Sequence, residues 1–302
     1  MNARPRSGRI DRFTLVAISG AVLLVVLGTM LWNMGQPTGS RSSAGGDGPQ
    51  QLMMFCAAGI RGPVVDAARQ YEEEYGVKVQ LNYGGSGTLL SQLKPAATGD
   101  LYLAADESYT NRARDQGLVA ESISLARMKP VIAVKKGNPK KIHSIDDLLR
   151  DDVRTALGNP DQAAIGKRTR KLLTASGHWD RLNEHVTRIR VFLPTVPEAA
   201  NTVKIGSTDA AIIWDTTVLT VDGLEACPVP ELDKGEVLVT VGVLNSSSDP
   251  TATLRFARYL ASRDKGLVHF KKHGFRPVDG DAWAEAPVLT FYCGAVNRRA
   301  VE

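Results

Sequence analysis

Apolar positions along the chain follow two periods, short continuous or alternating runs and stretches spaced for one helical face. "LMMFCAA", beginning at Leu52, is a continuous apolar run suited to a buried parallel strand. After the turn "GIRG", Pro63 stands at a helix start, and Val64, Ala67, Ala68 and Tyr71 share one face until Gly76. Val77, Val79, Leu81 and Tyr83 then alternate with polar residues as a second strand, and "GGSGT" leads into a helix carrying Leu89, Leu90 and Leu93. "DLYLAAD", Asp100 to Asp106, is a third strand, followed by a helix from Glu107 to Gln116 closed by Gly117. Strand, glycine-containing turn and helix recur in succession, which predicts a parallel α/β sheet.

The pattern continues beyond Gly117. "PVIAVKK" from Pro130 reads as a fourth strand, and Ser144 is placed to cap a short helix in "GNPKKIHSIDDLL". A strand around Leu157 precedes a helix from about Gly166 to Ala175, and "VFLPTVPEAANTVKIG" supplies strand, turn and helix. "TDAAIIWD", Thr208 to Asp215, and "GEVLVTVGVLN" are extended, and "PTATLRFARYLAS" is a closing helix. A second α/β unit following the first, or a second lobe inserted into it, would each produce this order.

Composition fits a globular chain of 302 residues, with 43% hydrophobic and 23% charged. The net charge of +5 owes much to Arg4, Arg6, Arg9 and Arg12, so a nucleic-acid partner is not expected. From Phe13 to Trp32 there is no charged residue, a length that crosses a bilayer as a helix. Residues 1–12 therefore read as a basic cytoplasmic N-terminus, 13–34 as a transmembrane signal anchor and 35–50 as a flexible Gly/Ser-rich linker. A cleaved signal peptide is the rival to the anchor, and both place the remainder outside the cytoplasmic membrane.

Three cysteines without C-x-x-C spacing indicate neither a disulfide framework nor a zinc site, and Cys56 reads as a small buried hydrophobe. No serine sits in a G-x-S-x-G elbow, and the five histidines show no metal pairing, so an enzyme is not expected. Asp100, Asp106 and Glu107 read as cap and hinge contacts. His273 reads as a packing residue.

Gly59 to Gly62 and Gly84 to Thr88 both lie between a strand end and a helix start. Unpaired N–H groups and the positive end of a helix dipole make such turns ready anion sites, and ligands of open α/β sheets gather at the strands' carboxyl ends. The competing explanation is that these glycines serve backbone geometry alone.

With these turns identified, the chain resembles a family. "FCAAG", "YGGSGTLLSQL", "GDLYLAADESY", "ALGNPDQAAIGK", "TDAAIIW" and "FKKHGF" occur in the order and spacing of the periplasmic molybdate-binding proteins of ABC importers. The resemblance spans about Leu52 to Pro277. It implies an α/β, two-lobed type II periplasmic-binding-protein-like fold, with 52–131 plus 238–280 as lobe one and 132–237 as lobe two. It also implies no cofactor and a ligand, molybdate or tungstate, gripped by neutral donors as the lobes close and delivered to an ABC permease in the membrane.

Carried onto this chain, the resemblance implies a ligand set of Gly59, Ser86, Ile165, Val196 and Trp214. Gly59 stands where the family has a serine, Ser86 matches, Ile165 and Val196 supply backbone donors, and Trp214 stands where the family has a tyrosine. Ala58, Arg61 and Gly87 are additional candidate contacts. Arg61 either brings a formal charge to the first turn or points to solvent, and Trp214 either donates its indole N–H or walls the cleft for an organic ligand. Each missing charge-assisted hydrogen bond would cost about 1.5 to 3 kcal/mol. Another anion, a small organic acid, or a membrane-anchored sensor or scaffold are therefore the alternatives. Oligomeric state stays open.

The chain also echoes itself. Leu52, Cys56, Ala58, Arg61 and Val64 recur as Leu289, Cys293, Ala295, Arg298 and Val301. Residues 281–302 thus resemble the start of a second domain copy, the expectation being a vestige of a tandem. Pairing with a sheet edge, a swapped strand or coincidence are the alternatives.

Overall fold

The computed structural model describes residues 51–189 and 191–284. The segment 1–50, with the expected anchor, and the echo from residue 285 onward lie outside the described residues. Among the described residues no helix is long and apolar enough to cross a membrane.

In chain order the first part comprises β1 (Gln51–Ala57), α1 (Arg61–Tyr75), β2 (Lys78–Gly84), α2 (Ser86–Ala96), β3 (Leu101–Ala104), α3 (Glu107–Asp115) and β4 (Val119–Met128). The middle comprises β5 (Pro130–Lys135), β6 (Thr155–Gly158), α4 (Ala164–Ala175), α5 (Trp179–Ile189), β7 (Phe192–Leu193), α6 (Val196–Ile205), β8 (Ala210–Trp214), α7 (Asp215–Thr220), β9 (Leu224–Cys227) and α8 (Pro230–Asp233). The chain then returns through β10 (Val237–Leu244), α9 (Pro250–Leu260), α10 (Gly266–Lys272) and β11 (Arg276–Pro277).

These strands form two sheets, ordered β11-β4-β10-β3-β1-β2 and β7-β6-β8-β5-β9. The second is inserted into the first: the chain leaves between β4 and β5 and returns between α8 and β10. β1 pairs in parallel with β2 and β3, whereas β10 runs antiparallel to both β3 and β4. In the second sheet β5 is antiparallel to β8 and β9. The apolar run of β1 is buried at Leu52, Met54 and Cys56 on one face and at Phe55 and Ala57 on the other, as a strand covered on both faces requires.

Several elements depart from the sequence reading. The hydrophobic pattern does not single out β4 or α5, although Trp179, Leu182 and Val186 sit at helical spacing. α1 starts at Arg61, after a 3-10 turn over Ala58–Ile60, instead of at Pro63, and α4 starts at Ala164 instead of Gly166. The lobe limits also shift: Pro130 and Val131 pair with Trp214 and Ile213 in the second sheet, and Val237 pairs with Met128 in the first.

Charged side chains secure the crossovers. Asp215 accepts from the Lys129 N–H at 3.0 Å and from Arg276 at 2.8 Å, and Arg276 also reaches Glu236 at 3.3 Å. The three acids singled out in sequence are structural: Asp100 accepts from Met53 N and Ser247, Asp106 caps α3, and Glu107 accepts from Leu238 N beside the second crossover.

Ser144 does take part in a cap, in reciprocal form. Its Oγ accepts from Asp147 N at 3.2 Å, while Asp147 Oδ2 accepts from the His143 and Ser144 N–H groups and from the Ser144 hydroxyl. The hydrogen bond from the His143 N–H, followed by that from the Ser144 hydroxyl, holds the Asp147 carboxyl below its usual value of 3.8. A lowered folded-state pKa gives stability that is present above the unfolded value and lost as the pH falls. Asp147→Ala should cost about 1 to 2 kcal/mol at neutral pH. In thermal melts its deficit against wild type should shrink between about pH 5 and pH 3.

Candidate functional site

Four strand-to-helix turns and one tryptophan meet between the two sheets. The first sheet supplies the turn after β1, Ala58–Ile60, and the turn Gly84–Gly85 that opens α2. The second supplies Ala163 before α4, Thr195 before α6 and Trp214 at the end of β8. Residues of all of these line one cavity, together with Ala57, Ser86, Ala105, Ala164 and Val196. None of the lining residues is ionisable.

What unites the turns is a missing cap. Ala57, Gly85, Ala163 and Thr195 precede their helical turns without a side-chain hydrogen bond to the first N–H groups. By contrast, α3 and α9 are capped by Asp106 and Asp249, which accept from Ser108 N and Ala252 N. Thr195 has a hydroxyl able to cap, but it donates to Glu198 at 2.8 Å instead. First-turn N–H groups have no intrahelical acceptor, so an uncapped start facing a cavity presents donors and partial positive charge to whatever enters.

The cavity offers about 20 Å³ to the centres of water-sized atoms, the volume of a sphere roughly 1.7 Å in radius. That is the scale of the bond between a central atom and its oxygens in a tetrahedral oxyanion.

Ser86 is held as a donor. Its Oγ accepts from Ala105 N at 3.2 Å and its carbonyl accepts from the Tyr102 hydroxyl at 2.7 Å, leaving the Ser86 proton free to point inward. Burial pushes the Tyr102 phenol well above its ordinary value, so that hydroxyl remains a donor.

Across the cavity, Trp214 is 1% exposed. Its Cδ1 lies 3.6 Å from where a side chain on Gly59 would begin, and Val196 Cβ lies 3.5 Å from the same point. The pyrrole edge that carries the indole N–H therefore borders the first turn.

The structure brings Ala58, Gly59, Ser86, Val196 and Trp214 together at the cavity, whereas Gly87 and Arg61 are not among its lining residues. Ile165 follows the lining residues Ala163 and Ala164 in the first turn of α4; its side chain is fully buried and packs over Gly158, so only its backbone N–H stands for the expected role. Gly87 donates its N–H to the Gln162 carbonyl at 2.8 Å. Arg61 is exposed and lies over the Tyr83 ring, 5.0 Å from its centroid. Sequence reading missed Thr195, Ala163 and Ala164; the one available signal was their position at a helix start.

The glycines of the two turns do not serve positive φ. Gly59, Gly62, Gly84, Gly85 and Gly87 are all absent from the positive-φ glycines of the described chain. Gly62, Gly84, Gly85 and Gly87 serve close approach, as at Gly62, where a Cβ would stand 2.6 Å from His273 Nδ1, whereas a Cβ on Gly59 would make only ordinary contacts. His273 in turn bonds Asp66 at 3.1 Å, a packing contact between α10 and α1.

Residues 52–276 match the family model for bacterial extracellular solute-binding proteins. The chain belongs to that family. A Haemophilus influenzae relative is 31% identical over 227 residues, covering 75% of this chain and 91% of its own. The molybdate-binding protein ModA of Mycobacterium tuberculosis is 26% identical over 246 residues, covering 80% and 91%. The solved structure of the Azotobacter vinelandii periplasmic molybdate-binding protein superposes with a TM-score of 0.62 at 17% identity, covering 76% of this chain and all of that one. At that identity the likeness establishes the two-sheet binding-protein fold.

Membership identifies the chain as an extracytoplasmic solute-binding protein, a binding protein and not an enzyme. Because the Arg61 guanidinium is engaged with Tyr83 outside the cavity, Arg61→Ala should change affinity for an anionic ligand by less than about threefold in calorimetric titration. A loss of tenfold or more would place the charge at the ligand.

Proposed function

We propose that this protein captures a small tetrahedral oxyanion, molybdate or tungstate, by closure of its two lobes and delivers it to an ABC permease. The observation that carries this reading is the convergence of uncapped helical turns on a cavity without an ionisable side chain. An anion there is satisfied by N–H and O–H donors and helix dipoles, with no formal counter-charge. The donors named for this role are the N–H groups around Ala58 and Gly59, Ser86 Oγ, the first-turn N–H groups of α4 and α6 at Ala164, Ile165 and Val196, and the Trp214 indole.

Two features support a metal oxyanion over its competitors. A lining of donors suits an ion that carries no proton of its own, which disfavours hydrogen phosphate. The size of the cavity suits a tetrahedral oxyanion and disfavours an organic acid with a carbon chain. The relatives named for molybdate support the same choice. In this reading residues 13–34 tether the binding domain to the membrane, with the domain on its outer side.

The test uses the chain from Pro49 onward, which forms one compact unit. Thermal unfolding is followed with molybdate, tungstate, sulfate, phosphate and a neutral salt. Ligand at about 100 times its dissociation constant should stabilise by about 2.7 kcal/mol, a shift of several degrees, for the two metal oxyanions. Absence of a shift with either would contradict the proposal. Ser86→Ala should weaken molybdate binding about tenfold or more, because one buried donor to a charged oxygen is lost.

A further inference from the structure

The turn that opens α2 makes contacts that no ligand explains. Gly85 has φ −70° and ψ 146°, a conformation any residue adopts, and Gly87 lies inside the helix. Neither glycine is required by backbone geometry. Both are required by the opposite lobe. A Cβ on Gly85 would stand 2.3 Å from the Gln162 carbonyl oxygen and 2.5 Å from that of Pro194; one on Gly87 would stand 2.3 Å from the Asp161 carbonyl oxygen. These are main-chain atoms and cannot swing aside.

The close approach is used. Gly87 N and Thr88 N both donate to the Gln162 carbonyl, at 2.8 and 3.3 Å, so that a peptide group of the second lobe caps α2 of the first. Gln162 is itself fixed: its N–H donates to Asn159 O at 3.2 Å, Ala163 N donates to the same oxygen at 2.8 Å, and Asn159 N donates to Leu193 O at 2.7 Å. On the same side of the cleft Lys167 reaches across to the Ser108 hydroxyl at 3.1 Å and lies 4.6 Å from the Tyr109 ring centroid.

We propose that Gly85 and Gly87 are positioning residues for lobe closure: lacking side chains, they let the Gln162 carbonyl cap α2, and this backbone latch sets ligand affinity through closure. The proposal rests on the reading of the cavity as the ligand site. Two of the first-turn donors of α2 then serve the latch, and the ligand takes Ser86. Only the closed arrangement binds fully, so apparent affinity scales with the fraction of molecules that can latch.

The variants are Gly85→Ala and Gly87→Ala in the chain from Pro49 onward. Alanine suits both local conformations, and at Gly87 it is the better helix former, so the ligand-free melting temperature should be unchanged or higher. Molybdate affinity by calorimetry should fall at least tenfold, and the decrease in radius of gyration expected of wild type on adding molybdate, read by small-angle scattering, should be lost. Variants that bind and compact as wild type does would overturn the latch. A lower ligand-free melting temperature with unchanged affinity would also overturn it, leaving the glycines as packing positions. If wild type binds neither molybdate nor tungstate, the ligand assignment fails while the latch is read from hydrogen exchange without ligand. The latch forms part of the time without ligand, so the Gly87 and Thr88 amides should exchange more slowly in wild type than in Gly85→Ala, and equal rates would overturn the latch.

Discussion

A helix start leaves N–H groups that the helix cannot satisfy, and the arrangement around the cleft follows from how this chain disposes of them. At α3 and α9 an aspartate satisfies them locally. At the four turns that face the cavity, the capping position is alanine, glycine or a threonine turned to another partner. Leaving a buried donor unpaired costs on the order of 1 to 3 kcal/mol. The donors gathered between the lobes therefore amount to a standing demand for an acceptor with several oxygens. One turn has that demand met from within, by the Gln162 carbonyl. The others leave it to solvent or ligand.

The two-sheet design turns this local demand into a relation between lobes. The turn after β1 and the start of α2 belong to the first sheet, whereas α4, α6 and Trp214 belong to the second, so no single lobe holds a full set of donors. Trp214 is followed by Asp215, whose carboxylate joins Lys129 N at one crossover to Arg276 of the first lobe. The residue that borders the cavity is thus adjacent in sequence to one that ties the lobes at their base. Small residues do the rest: at Gly85 and Gly87 anything larger would keep main chain from main chain.

Much of this was readable before the fold was known. The strand–turn–helix order, the burial of β1 and the two glycine-bearing turns followed from period and punctuation. Ser86 and Gly59 came from the resemblance and sit at the cavity. β4 escaped because its alternation is broken by Glu121 and Arg127 and because the strand pairs with β10, far along the chain, a tertiary preference that local pattern does not carry. Ala163 and Ala164 escaped for a chemical reason: a residue that contributes only backbone carries no side-chain signal. Arg61 misled in the opposite sense. A charge in an anion turn is a strong hint, but the guanidinium finds the Tyr83 ring, and the cavity beside it stays uncharged. The role of Gly85 and Gly87 lay beyond sequence altogether, since it depends on three carbonyls from the other lobe.

The central claim is that backbone donors at uncapped helical turns hold the ligand. Its most direct test is the amide proton and nitrogen spectrum of the chain from Pro49 onward, recorded with and without molybdate. The account predicts that the largest changes fall on the N–H groups of Ala58 to Ile60, Ser86, Ala164, Ile165 and Val196 and on the Trp214 indole. Changes concentrated instead on exposed lysines and arginines, with those amides unmoved, would contradict it.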